Sequence, residues 1–139
     1  LVDLIKLNFE KFNDNKQLEI IFDNFNEENQ ILFKDEINYA LGNIIQNAII
    51  YSRYKVTTIF YSNNEDIIIK IKDDGHGFSK EVLDKLGEPY ISINKKGMGL
   101  GIFIAKNLIE NMKGGIFFYN TKQGNAVVEI KFKKVILLQ

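Results

Sequence analysis

The sequence predicts an α+β domain, a two-layer sandwich in which a mixed, mostly antiparallel sheet of about five strands is covered on one face by three helices. Three observations predict it. Strand-like runs come in neighbouring pairs ("VTTIFYS" with "DIIIKIK", "GIFFYN" with "NAVVEIKF") and do not alternate strictly with helices, which disfavours a doubly wound parallel sheet. Two long segments carry apolar residues at helical spacing. No repeat, low-complexity tract or linker divides the 139 residues, a length that suits a single domain, 1–139, with a sizeable core.

A first helix runs from about Val2 to Phe12, with Leu4, Ile5, Phe9 and Phe12 on one side. "NDNKQ" breaks it, "LEIIFD" (Leu18 to Asp23) reads as a strand, and "ILF" after the turn "NFNEENQ" as extended. From Asp35 to about Ser52 a long helix buries Ile37, Leu41, Ile44, Ile45 and Ala48. The β-branched strands "VTTIFYS" and "DIIIKIK" join through Asn63-Asn64 as a hairpin. A short helix spans Lys80 to Leu86, and "GEPYISINKK" follows without periodicity. Then "KKGMGLGIFIAKNLIENMKGG" opens with Gly97, Gly99 and Gly101 and becomes an amphipathic helix of about four turns, with Gly114-Gly115 as its stop. "GIFFYN" and "NAVVEIKF" close the chain around a Lys122-Gln123-Gly124 turn.

Composition excludes several functions. Lys plus Arg equals Asp plus Glu, so no bulk field draws nucleic acid or an anionic membrane. Apolar runs such as Ile67 to Ile69 and Val135 to Leu138 are far too short to span a bilayer, and no signal segment opens the chain, so the domain is expected to be soluble. The absence of cysteine removes thiolate chemistry and favours a cytoplasmic setting. One histidine and no cysteine argue against a zinc site, and a Ser-His-Asp catalyst would have to use His76, which lies between two glycines. The start at Leu1 suggests an excerpt of a longer protein.

Four features carry chemistry together. In "NIIQNA", Asn43 and Asn47 stand four apart and project from one helix face. Neutral amide oxygens suit Mg²⁺, which takes its other ligands from water and phosphate, although solvated or capping amides are the plain alternative. In "KIKDDGHGF", Ile67, Ile69 and Ile71 alternate onto one face and Asp73 continues that parity, so its carboxylate ends the core-facing row. A ligand amino group would satisfy a charge that is costly to bury alone. Gly75 and Gly77 then let a ring lie against backbone, whereas an ordinary "DDG" turn is the alternative; Asp74 is expected to face solvent and His76 to be a loop residue. The third feature is the irregular segment Glu88 to Met98, of a length that marks either a lid or disorder, where Lys95 and Lys96 can meet phosphate charge or be plain solvated surface. The fourth is the glycine-opened helix, either a hinge or an anion site in which backbone N–H groups close on phosphate.

The order of these motifs resembles the catalytic ATP-binding domain of bacterial sensor histidine kinases, the family that shares its Bergerat-type nucleotide fold with gyrase, the Hsp90 chaperone and the mismatch-repair ATPases. The resemblance covers about Leu18 to Phe132, and "LGEPY" with "GLGIFIAKNLIE" look most like the redox-responsive, RegB-like kinases. It implies ATP and Mg²⁺ as cofactors and transfer of the γ-phosphoryl group to a histidine. Asn47 would be the principal Mg²⁺ ligand, with Asn43 assisting at metal or phosphate. Asp73 would accept from the adenine amino group, Gly75 and Gly77 would shape the adenine pocket, and Tyr51 would lie near the nucleotide. Tyr90 stands at the lid aromatic; Lys95, Lys96, Gly97, Gly99, Leu100 and Gly101 would surround the phosphates. The implied partners are the dimerisation domain bearing the phosphoacceptor histidine, and a response regulator; the parent would be a homodimer, and whether it sits in the inner membrane is left open.

The chain also departs from the family pattern. Ile50 stands where many members carry a basic residue, with Arg53 the nearest substitute, and Val127 where the closing box usually has Thr. Neither the phosphoacceptor histidine nor its helical domain is in this chain. Asn43 occupies a position where hydrolysing relatives commonly have Glu, and an amide cannot take a proton from water, which points to transfer over hydrolysis. A regulatory nucleotide-binding module of the same fold and a gyrase- or chaperone-type ATPase are the competing functions.

Overall fold

The computed structural model describes residues 1–13, 15–25, 35–86 and 98–134, with the side chains of 98–100 excepted. In chain order its elements are α1 (Val2–Phe12), β1 (Gln17–Asp23), α2 (Asp35–Tyr51), β2 (Lys55–Ser62), β3 (Asp66–Asp73), α3 (Lys80–Leu86), α4 (Met98–Asn111), β4 (Gly115–Asn120) and β5 (Ala126–Lys133). The five strands form one sheet in the order β1-β2-β3-β5-β4. Only β1 and β2 run parallel, and the stretch between them contains α2, as a parallel pair requires a long crossover. The other three pairings are antiparallel. The expected sandwich is therefore present, with the short α3 as a fourth helix. The extended "ILF" segment lies outside the described residues.

Local chemistry explains the element ends. The side chain of Asn63 accepts from the N–H groups of Glu65 (2.9 Å) and Asp66 (2.7 Å), which closes the β2–β3 hairpin. Ser79 Oγ accepts from Val82 N–H at 3.2 Å and caps α3. The predicted glycine stop of α4 is displaced by one residue: Lys113 takes the left-handed conformation (φ 64), and Gly114 N–H returns to the Ile109 carbonyl at 2.9 Å.

The core lies between the sheet and α2, which α1 and α4 flank. All five residues of the predicted α2 stripe are buried, as are Ile67, Ile69 and Ile71 of β3. Register aligns Ile69 with Phe60 on one side and Ile130 on the other, each fully buried, so one parity of every inner strand faces the helices. Each such side chain contributes roughly 1.5–3 kcal/mol by burial. The opposite face carries charge pairs, Lys70–Glu129 (3.8 Å) and Lys131–Asp66 (3.6 Å) among them. Asp73 sits at the end of the core-facing row of β3, above the apolar layer, and that position builds the site.

Candidate functional site

Between α2, the end of β3, the loop after it, α4 and β5 lies a cavity of about 210 Å³. Its walls are chiefly apolar: Ile44 and Ala48 of α2, Ile71 of β3, Ile102 of α4, and Ala126 and Val128 of β5. Asn47, Tyr51, Asp73, His76 and Gly77 bring polar groups and backbone to the same space. The volume is below the roughly 300–1,000 Å³ of a whole small-molecule site, so it suits one flat ring of a larger ligand.

Asp73 is 6% exposed, and its Oδ1 accepts from Gly75 N–H at 2.8 Å. Among the described residues the second oxygen has no partner. Burial is the main influence on the carboxyl and pushes it above its ordinary value; the Gly75 N–H opposes this, Asp74 adds to it and His76 opposes it. A largely buried carboxylate that borders an apolar slot and has one oxygen on a backbone N–H is suited to a donor on the ligand.

The glycines of the following loop are required by the protein's own packing. A Cβ on Gly75 would fall on the carbonyl oxygen of Tyr51, so the loop lies directly against the end of α2. Gly77 has φ +82, and a Cβ there would strike the carbonyl oxygen of Gly124. Gly77 borders the cavity and Gly75 does not. The expectation that both simply make room for a ring is thus modified: Gly75 joins the loop to α2, and Gly77 joins it to the β4–β5 turn.

Asp74 corrects a second expectation. It does not simply face solvent, because its carboxylate accepts from the N–H groups of Arg53 (2.6 Å), Tyr54 (3.0 Å) and Lys55 (3.2 Å). Partial burial works against its charge, yet these bonds prevail and hold the carboxyl below its ordinary value. On the other side of the same turn, Lys16 Nζ donates to the carbonyls of Ser52 (2.6 Å) and Arg53 (2.9 Å). The end of α2, which carries Asn47 and Tyr51, is therefore held by both a carboxylate and an ammonium. Ile50 is 61% exposed, and Arg53 is not among the residues lining the cavity.

Asn47 reaches the cavity, while Asn43, one turn earlier, lies against the first turn of α4. A Cβ on Gly101 would come within 3.3 Å of Asn43 Oδ1, so Gly101 lets the two helices approach at this point. Asn43 Nδ2 is buried and has no hydrogen-bond partner among the described residues. Gly99, Leu100 and Gly101 belong to the helix itself, since α4 begins at Met98 and not after the glycines. Tyr90, Lys95, Lys96 and Gly97 lie outside the described residues. His76 is exposed, with Nδ1 2.9 Å from the Gly77 carbonyl, as a loop residue would be.

Sequence reasoning missed Phe78, Val82, Ile102, Ala126 and Val128 as lining residues. Val127, which stands where the closing box of the family usually has Thr, is not among the lining residues. Ala126 and Val128 border the cavity, and Val127, of opposite parity, shares the other sheet face with Glu129 and Lys131. Alternation along β5 was the signal that could have told them apart.

Comparison with known proteins bears on the family and the fold. A family model described as "Histidine kinase-, DNA gyrase B-, and HSP90-like ATPase" matches residues 34–136. Sporulation kinase A of Bacillus subtilis is 28% identical over 103 residues, 73% of this chain and 17% of that protein. Sensor histidine kinase RegB of Cereibacter sphaeroides is 33% identical over 101 residues, 65% of this chain and 22% of that protein. The chain thus spans about a fifth of the length of the curated relatives it matches. Among solved structures, the mycobacterial sensor histidine kinase MprB superposes with a TM-score of 0.77 at 17% identity, covering 95% of this chain and 93% of that one. The catalytic domain of histidine kinase ThkA gives 0.75 at 22% identity, covering 96% and 92%.

Proposed function

The chain belongs to the histidine kinase-, DNA gyrase B- and HSP90-like ATPase family, and we propose that it is the catalytic domain of a sensor histidine kinase. In this reading it binds Mg·ATP and presents the γ-phosphoryl group to a histidine on a separate dimerisation domain, from which a response regulator is served. The observation that carries it is the buried Asp73 carboxylate at the end of an apolar, ring-sized cavity that Asn47 of α2 also lines.

The chain's own groups divide the work. Ile44, Ala48, Ile71, Ile102 and Val128 exclude water from the base. Asp73 accepts from the exocyclic amino group and so orients the ring. Asn43 Nδ2, buried and unpartnered among the described residues, is free to donate to a phosphate oxygen; of its two expected roles, phosphate therefore fits better than metal. The Asn47 amide oxygen fits a hard cation that retains waters and phosphate ligands, so Asn47 would hold the Mg²⁺. When bound, Mg²⁺ supplies charge neutralisation at the phosphates. Backbone N–H groups where α4 begins favour the same anionic charge. Lys95, Lys96 and Gly97 are assigned to the phosphates, and Tyr90 to the lid, from the resemblance alone.

Neither Asn43 nor Asn47 can take a proton from water, which favours transfer to a protein nucleophile over hydrolysis. The test is incubation with γ-labelled ATP and the parent's helical phosphoacceptor domain supplied in trans. That domain should acquire acid-labile, alkali-stable phosphate, and Asn47→Ala should stop the transfer. Brisk ATP hydrolysis by the chain alone would favour the ATPase relatives. ATP binding without transfer to any acceptor would favour a regulatory module.

A further inference from the structure

The loop that follows Asp73 is secured from the far end of the chain. Asn120, the last residue of β4, donates from Nδ2 to the Phe78 carbonyl at 2.8 Å and accepts at Oδ1 from the Phe78 N–H at 2.8 Å. One side chain thus satisfies both backbone groups of a residue that lines the cavity. Nearby, Asn125 Nδ2 donates to the Gly75 carbonyl at 3.0 Å. The turn between these asparagines is itself ordered: Gly124 N–H donates to the Thr121 carbonyl and Thr121 N–H to the Asn125 carbonyl. Gly77 packs so closely on this turn that a Cβ would meet both the Gly124 carbonyl and Asn120. The Phe78 ring stands edge-on to Phe118 of β4, with centroids 6.2 Å apart.

From this geometry we propose that Asn120 is a positioning residue for base recognition: it fixes the wall that Gly77 and Phe78 contribute to the cavity shared with Asp73. The inference rests on the nucleotide reading above. Bonds within the strands would hold β4 and β5 together without Asn120. What Asn120 adds is a tie between that hairpin and a loop 42 residues earlier in the chain. Loss of the tie frees Phe78 and leaves the Asp73 end of the loop, held through Gly75 and Asn125, in place.

The test compares Asn120→Ala with Asn120→Asp in the whole chain. Asn120→Ala should speed amide exchange at Phe78 without nucleotide and weaken ATP binding by roughly tenfold. Asn120→Asp keeps the side chain's size and an acceptor for the Phe78 N–H but turns a second oxygen toward the Phe78 carbonyl, so it should also speed exchange at Phe78 and weaken ATP binding, and it covers the case in which the alanine variant does not fold. The ratio of ATP to GTP affinity distinguishes positioning from general loosening; it should shrink in Asn120→Ala, whereas loss of fold lowers both affinities together. Parent-like exchange, or an unchanged ATP:GTP ratio, overturns the proposal. A parent chain that binds ATP no better than GTP overturns the nucleotide reading, and the positioning role with it, even if exchange at Phe78 changes as expected.

Discussion

Replacing Asp73 by Asn separates the carboxylate's service to a ligand from its service to the fold. The side chain is 6% exposed, one oxygen accepts from Gly75 N–H at 2.8 Å, and the group borders the cavity. Asparagine keeps the shape and can keep its oxygen on that N–H, which turns its NH₂ toward the cavity. A ligand amino group that met an acceptor then meets a donor. A hydrogen bond to a charged partner is worth about 1.5–3 kcal/mol, so ATP affinity should fall by roughly 10- to 150-fold. Folding should respond in the opposite direction. Burial raises the Asp73 pKa, so its contribution to stability is fully present below the unfolded value of 3.8 and is lost as pH rises through the higher folded value. At neutral pH the ionised carboxylate therefore burdens the fold, and the melting temperature of Asp73→Asn should hold or rise. Calorimetric titration with Mg·ATP and nucleotide-free melts at neutral and acid pH read the two effects separately. ATP affinity within about twofold of the parent would refute the donor–acceptor argument. A collapse in melting temperature would make Asp73 chiefly the acceptor for Gly75.

Three further outcomes follow from the same geometry. Asp74→Ala should cost about 1–2 kcal/mol by releasing the amides of residues 53–55. Because the Asp74 pKa is lowered, that contribution is present above 3.8 and lost as pH falls through the folded value; urea denaturation of parent and variant should converge in acid. Gly75→Ala must move the end of α2, costing about 2–3 kcal/mol by urea denaturation, and should weaken ATP binding because Asn47 and Tyr51 move with it. Val127→Thr should leave ATP affinity within about twofold of the parent, since the residue faces away from the cavity, whereas Val128→Phe should fill the cavity and block binding in the same titration.

Periodicity by itself determined which face of α2 and of β3 is buried, and with them the position of Asp73 at the end of an apolar row. Element order, the paired strands and the reach of Asn47 toward a ligand space were legible for the same reason: each depends on residues within a few positions of one another. Tertiary structure alone decided what depends on backbones meeting from distant parts of the chain. Asp74 became the anchor of a turn twenty residues earlier, and Gly75 and Gly77 were required by carbonyls at Tyr51 and Gly124. Asn43 was met by Gly101 of α4, and Asn120, unmarked by any local pattern, closed on Phe78. Side-chain alternation is a local consequence of strand and helix geometry. Which carbonyl, amide or Cα arrives opposite a given residue is set by packing across the whole sheet, and no local spacing encodes it.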